Sequence, residues 1–181
     1  MVALRGPVES PLVVQRRRLE LIDRGIAGAA QPYHAAAEMP LIEAEAFLSE
    51  CAEVTAALAN KAVRHVVAEL QSRELDVVGC CVLLGSGRSA GSLASTLASH
   101  TAIHTAEGEF YRDAIKKACE CAGLVRSPLR EKELWDSAER HLRLSRHELK
   151  RRVSELGHPL GPPWRQDEKF CALTAWLMLA G

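Results

Sequence analysis

Val77-Val78-Gly79-Cys80-Cys81-Val82-Leu83-Leu84 is apolar throughout and breaks into Gly85-Ser86-Gly87-Arg88. A strand covered on both faces carries this kind of unbroken run, whereas a strand with one wet face alternates. The Val content and the terminating glycines favour a strand over a buried helical turn. A buried strand that stops at a Gly-rich loop and re-enters a helix is where α/β proteins place ligands. The run therefore predicts an α/β fold and marks Gly85–Arg88 as its candidate binding end.

Upstream, residues 2–5 and about 12–22 read as extended structure separated by the turn chemistry of Gly6-Pro7 and Ser10-Pro11. Pro32-Tyr33-His34 follows a glycine-bearing loop, and Tyr33 and His34 could edge a pocket that the sequence does not locate. From Leu41 to about Arg73 there is neither Gly nor Pro. Phe47, Cys51, Val54, Leu58, Ala62, Val66 and Leu70 recur at three- and four-residue steps, predicting one long helix over 41–73.

Downstream, helices are expected over 91–99 and 105–122, with Gly123 as a stop and a short strand at 124–126. The last third is helical. Ser145-Arg146-His147-Glu148 has capping-box spacing, Gly157 ends that helix, and 167–180 closes the chain. The organisation expected is one domain across 1–181: strands in 1–30, the helix 41–73, strand–helix–strand in 76–126 and helices in 128–181.

This order resembles the ribonuclease H-like fold, a mixed sheet with an N-terminal hairpin and helices on both faces. The second half is similar to RuvC-type Holliday-junction resolvases through Ala106-Glu107-Gly108 to Ala122-Gly123-Leu124, Glu148 to Gly157, and Asp167-Glu168-Lys169-Phe170 onward. Periodicity alone leaves a flavodoxin-like or other three-layer α/β arrangement open. The resemblance implies a degenerate active site, because nucleases of this superfamily gather acids around two metal ions. The first strand holds Val2-Ala3-Leu4-Arg5, the central strand ends Leu84-Gly85-Ser86, and only Asp167 or Glu168 stands at an expected acidic position. A non-nuclease member is expected.

Lys plus Arg and Asp plus Glu number 23 each, for a net charge of zero. Counterion release needs concentrated positive charge, so nucleic acid is not an expected partner. Arg16-Arg17-Arg18, Lys116-Lys117 and Lys150-Arg151-Arg152 read as solvated faces. The six cysteines match neither zinc nor redox spacing, and with no leader-like start or long apolar run a reduced, cytoplasmic protein is expected. A homodimer surface on the hairpin or around Trp164 is a further expectation, since zero net charge favours self-association.

Two constellations carry chemistry. Ser86, Gly87 and Arg88 could form a backbone nest and guanidinium fork for an anionic small molecule, with His100 beside it, or seat a protein partner. The loop lacks the ending of a P-loop and the glycine spacing of a dinucleotide site, so no cofactor is assigned.

His100, His104 and Glu107 fall at i, i+4 and i+7 and share a face if the helix is continuous there. Two histidines at that spacing can chelate a metal, but Glu is missing between them, and Ser99 and Thr101 can break the helix as readily as continue it. No metal ligand is assigned. His104 and Glu107 are instead read as an acid/base pair, a carboxylate orienting an imidazole.

Overall fold

The computed structural model describes residues 1–85, 91–126 and 129–180. The elements run β1 (Val2–Arg5), β2 (Leu12–Arg16), α1 (Pro32–Ala37), α2 (Leu41–Gln71), β3 (Gly79–Cys80), β4 (Leu83–Leu84), α3 (Leu93–Leu97) and α4 (His100–Cys121). They continue with β5 (Val125–Arg126), β6 (Leu129–Arg130), α5 (Leu134–Leu142), α6 (Arg146–Glu155) and α7 (Gln166–Ala180). The protein is mixed α/β and helix-rich. Among the described residues the strands pair only two by two, β1 with β2, β3 with β5 and β4 with β6, rather than in a wider mixed sheet.

The segment expected to be one buried strand is two dipeptide strands instead. Residues 79–84 are all half-buried and Val78 is 72% exposed. An apolar run specifies removal from water but not a ladder, and here only two residues at each end find strand partners.

The chain builds two compact units. The first comprises Met1–Leu19, Gly79–Leu83 and Arg126–Gly181; the second comprises Glu20–Val78 and Leu84–Val125. In the first, β1 and β2 pair antiparallel with Val2 opposite Arg16 and an irregularity between Ala3 and Leu4. The second strand ends at Arg16, short of the expected 22. Leu134, Ala138, Leu149, Val153, Leu173 and Trp176 form the core, with Leu4 and Val8 packed against it.

Trp176 is buried, and its indole N–H donates to the Val8 carbonyl at 2.7 Å, which satisfies the one polar atom that so large a side chain takes inside. The Trp164 ring lies on Gly157 and its N–H donates to Val153 O at 2.8 Å.

Arginines of the basic runs in this unit find partners within it. Arg151 binds Glu148 and Glu155, and Arg152 binds Glu148 and the Glu9 carbonyl. Arg16 donates to the carbonyls of Gly161 and Pro163.

In the second unit α2 is 31 residues, about 46 Å long. Its buried seam is Ala44, Leu48, Cys51, Thr55, Ala59, Val63, Val66 and Leu70. The expected stripe shares Cys51, Val66 and Leu70 with it, while Phe47, Val54, Leu58 and Ala62 flank the seam half-buried. Small and branched side chains share the seam, and Phe47, Val54, Leu58 and Ala62 cover its sides. Helix α4 packs along α2, and its buried residues are Ile103, Ala114, Ala118 and Cys119. Ala36 of α1 closes the end of this pair with Ala44 and Leu48.

All six cysteines are free thiols, and burial pushes Cys81 up to about 11, with Cys80 and Cys171 adding to the shift. No helix among the described residues is long and apolar enough to cross a membrane.

Candidate metal centre

Helix α4 begins at His100, because the Ser99 hydroxyl accepts from Ala102 N at 3.4 Å and caps it. The polar residues that could have broken the helix start it instead. Continuous helix from His100 puts His104 one turn on and Glu107 two turns on, along one face. The Nε2 atoms of His100 and His104 are 3.0 Å apart, and the rings meet edge to face at 4.4 Å between centroids.

A third imidazole joins them from a distant part of the chain. His34 lies in the first turn of α1, its ring centroid 4.8 Å from that of His104 and 5.8 Å from that of His100. One ring nitrogen from each of the three histidines falls within 4.8 Å of the others. Two ligands about 2.05 Å from a tetrahedral zinc stand about 3.3 Å apart, so the His100–His104 spacing is already close to that of a ligand pair.

The placement of His34 has a local cause. Pro32 occupies the first helical turn of α1, but the side chain of Gln31 makes no capping bond. Glu107 does that work from α4: its Oε1 accepts from Tyr33 N at 3.1 Å and from His34 N at 3.2 Å. A carboxylate against the first N–H groups of a helix satisfies orphan donors and complements the dipole.

The same oxygen lies 3.1 Å from His34 Nδ1. Nδ1 is buried and makes no hydrogen bond among the described residues. Tyr111 adds a second tie: its hydroxyl donates to Ala29 O at 2.6 Å just before α1. Phe110 meets Tyr33 edge to face at 6.1 Å between centroids.

The cluster is open on one side. His100 and His104 are exposed, whereas the side chains of His34 and Glu107 are 27% and 12% exposed. A ligand can therefore arrive from solvent at a group whose far side is fixed.

No protein-family model matches the chain, and no match is found among curated proteins or solved structures. Function must be read from the chemistry alone.

Of the residues singled out in the sequence, His100, His104 and Glu107 do share a face. Glu107, however, contacts His34 and Tyr33, while the contacts of His104 are with His100 and His34. Ser86, Gly87 and Arg88 lie outside the described residues. Sequence reasoning missed His34 as a member of the cluster. The available signal was Pro32-Tyr33-His34-Ala35-Ala36-Ala37, a proline followed by helix-forming residues, which is a helix start.

Proposed function

We propose that the protein binds a divalent transition metal through His34, His100 and His104, with a coordination position left open for an exogenous ligand. The observation that carries the reading is the convergence of three imidazoles from two helices within 4.8 Å. Three neutral imidazoles suit zinc, cobalt, nickel or copper better than magnesium or calcium, which prefer oxygen. Three protein ligands plus an open position is also the arrangement of catalytic rather than structural zinc sites.

Glu107 Oε1, 3.1 Å from His34 Nδ1, stands at the place of the outer carboxylate in a carboxylate–histidine–metal triad, although the hydrogen bond that closes such a triad is not formed. With a proton on His34 Nδ1 facing the carboxylate, Nε2 carries the lone pair that a metal takes. The test is uptake by EDTA-stripped protein in equilibrium dialysis against zinc at micromolar free concentration. One equivalent in the wild type, lost in His34→Ala and in His104→Ala, is the expected result. Uptake well below one equivalent, or full uptake by both variants, overturns the reading.

The metal-free alternative is an acid/base site for a small anionic molecule. The 3.1 Å approach of Glu107 to His34 Nδ1 favours His34 over His104 as its imidazole. The ribonuclease H-like relation stays a proposal about descent and contributes no ligand here.

A further inference from the structure

The zero net charge that speaks against nucleic acid is the sum of two unlike parts. The first unit carries fifteen Lys and Arg against nine Asp and Glu, and the second carries eight against fourteen. Positive charge gathered in one compact unit attracts a polyanion whatever the total of the chain. We propose that the first unit binds duplex DNA, with α6 lying in the major groove as the second helix of a helix-turn-helix. The contact involves no cleavage and none of the three histidines, which belong to the second unit.

Helices α5 and α6 are joined by Arg143, Leu144 and Ser145 alone, the short connection of a helix-turn-helix. Arg143 turns the chain in the left-handed region, at φ 53°, and the Ser145 hydroxyl caps α6 by accepting from Glu148 N at 3.2 Å. Leu134 and Ala138 of α5 share one buried core with Leu149 and Val153 of α6, and Leu173 and Trp176 of α7 complete it. Glu139 ties the two helices together. Its Oε1 accepts from Arg146 N at 2.9 Å and its Oε2 from Arg146 Nε at 3.0 Å.

Leu149 and Val153 face the core, and Arg152 reaches the Glu9 carbonyl at 3.1 Å. His147, Lys150 and Arg151 fall at i, i+3 and i+4, on one face of α6, and all three are exposed. The acids of the two helices, Asp136, Glu139, Glu148 and Glu155, pair with Arg146, Arg151 and Arg152. Arg140, Arg143 and Lys150 stand outside those pairs and are exposed. The pairs of Arg151 lie on the surface, where ion pairs are weak and can be exchanged for phosphate. A helix about 10–12 Å across with its side chains is what a major groove about 12 Å wide admits. The N-terminal half of the inserted helix meets base edges, which here means His147, Lys150 and Arg151, while Arg143 in the turn and Arg140 before it are left for the phosphates.

The experiment titrates the full-length protein into a fluorescently labelled, mixed-sequence DNA duplex of about 20 base pairs and into an RNA duplex of the same sequence, read by anisotropy at about 50 and about 200 mM salt. Saturable binding to DNA is expected, weakened at least about tenfold between the two salt concentrations. The RNA duplex should bind at least about tenfold less tightly, because its deep, narrow major groove does not admit a helix. Lys150→Gln and Arg143→Gln should each weaken DNA binding about fivefold or more and make the salt slope shallower by about one. Lys61→Gln, at an exposed position of α2 in the second unit, should stay within about twofold of wild type.

Absence of saturable binding to DNA at the lower salt concentration overturns the proposal. Equal affinity for the RNA duplex also overturns it, since that is attraction to phosphates without entry into a groove. Unchanged DNA affinity in both Lys150→Gln and Arg143→Gln, with circular dichroism like wild type, overturns the assignment to α6. Lys150→Arg, which keeps the charge, should retain binding and so separates a lost contact from a damaged fold. Zinc uptake is read separately, and either result stands without the other.

Discussion

Glu107 Oε1 caps the first turn of α1 at Tyr33 and His34 and lies 3.1 Å from the Nδ1 atom of the same His34. One oxygen thus fixes a backbone and faces an imidazole. The two roles separate by mutation. Glu107→Gln keeps an oxygen that can accept from both N–H groups but removes the charge. Zinc affinity should fall by about 10- to 100-fold with little loss of fold. Glu107→Ala additionally strands two N–H donors and should cost about 1–3 kcal/mol of stability. Isothermal titration for the first and urea unfolding for the second check these outcomes.

Zinc at about 100 times its dissociation constant should stabilise the protein by about 2.7 kcal/mol. For a chain of this size that raises the unfolding midpoint by roughly 5–10 °C. Differential scanning fluorimetry of stripped protein should show this rise in the wild type. His34→Ala, which keeps the His100–His104 pair but not the third ring, should show little of it.

In the first unit, a Cβ at Gly157 would lie 2.3 Å from the Trp164 ring. Gly157→Ala must displace the indole and loosen its hydrogen bond to Val153. A loss of about 1–3 kcal/mol is expected in urea unfolding, as for other overpacked sites. Gly157→Ala combined with Trp164→Ala should lose less than the sum of the two single changes, because the clash is gone.

Hydrogen bonds from Arg151, then from Arg152, hold the Glu148 carboxyl down at about 2, against an ordinary 4.5. A depressed folded value means the contribution is present above the unfolded value near 4.5 and is lost as pH falls from there through about 2. Carboxyl NMR titration should place the Glu148 midpoint near 2. Arg151→Gln should move it back towards 4.5, and added salt should move it the same way, since the group is exposed.

How far the sequence disclosed the molecule depended on whether each signal was local. The helix expected over 41–73 is Leu41–Gln71, because thirty residues of helical period without Gly or Pro leave few other states. Ser145 accepts from Glu148 N as its spacing implied. Glu148 then turns to Arg151 and Arg152, so only half of the capping box forms as drawn.

The run Val77–Leu84 misled because hydrophobicity without period cannot tell a laddered strand from half-buried irregular chain. Ser99 was legible only as a choice between cap and breaker, and the cap won. His34 was legible as part of a helix start, but neither period nor motif links position 34 to positions 100 and 104.

The distance along the chain between α1 and α4 has one more consequence. In the unfolded polypeptide, His100 and His104 remain neighbours, while His34 is 66 positions away from His100. The pair at i, i+4 lasts only as long as α4 is helical, and the three-nitrogen site only as long as α1 is packed against it. The spectrum of a cobalt-loaded sample would therefore act as a gauge of whether the second unit is assembled, changing its ligand number as the helices part and changing back as they re-form.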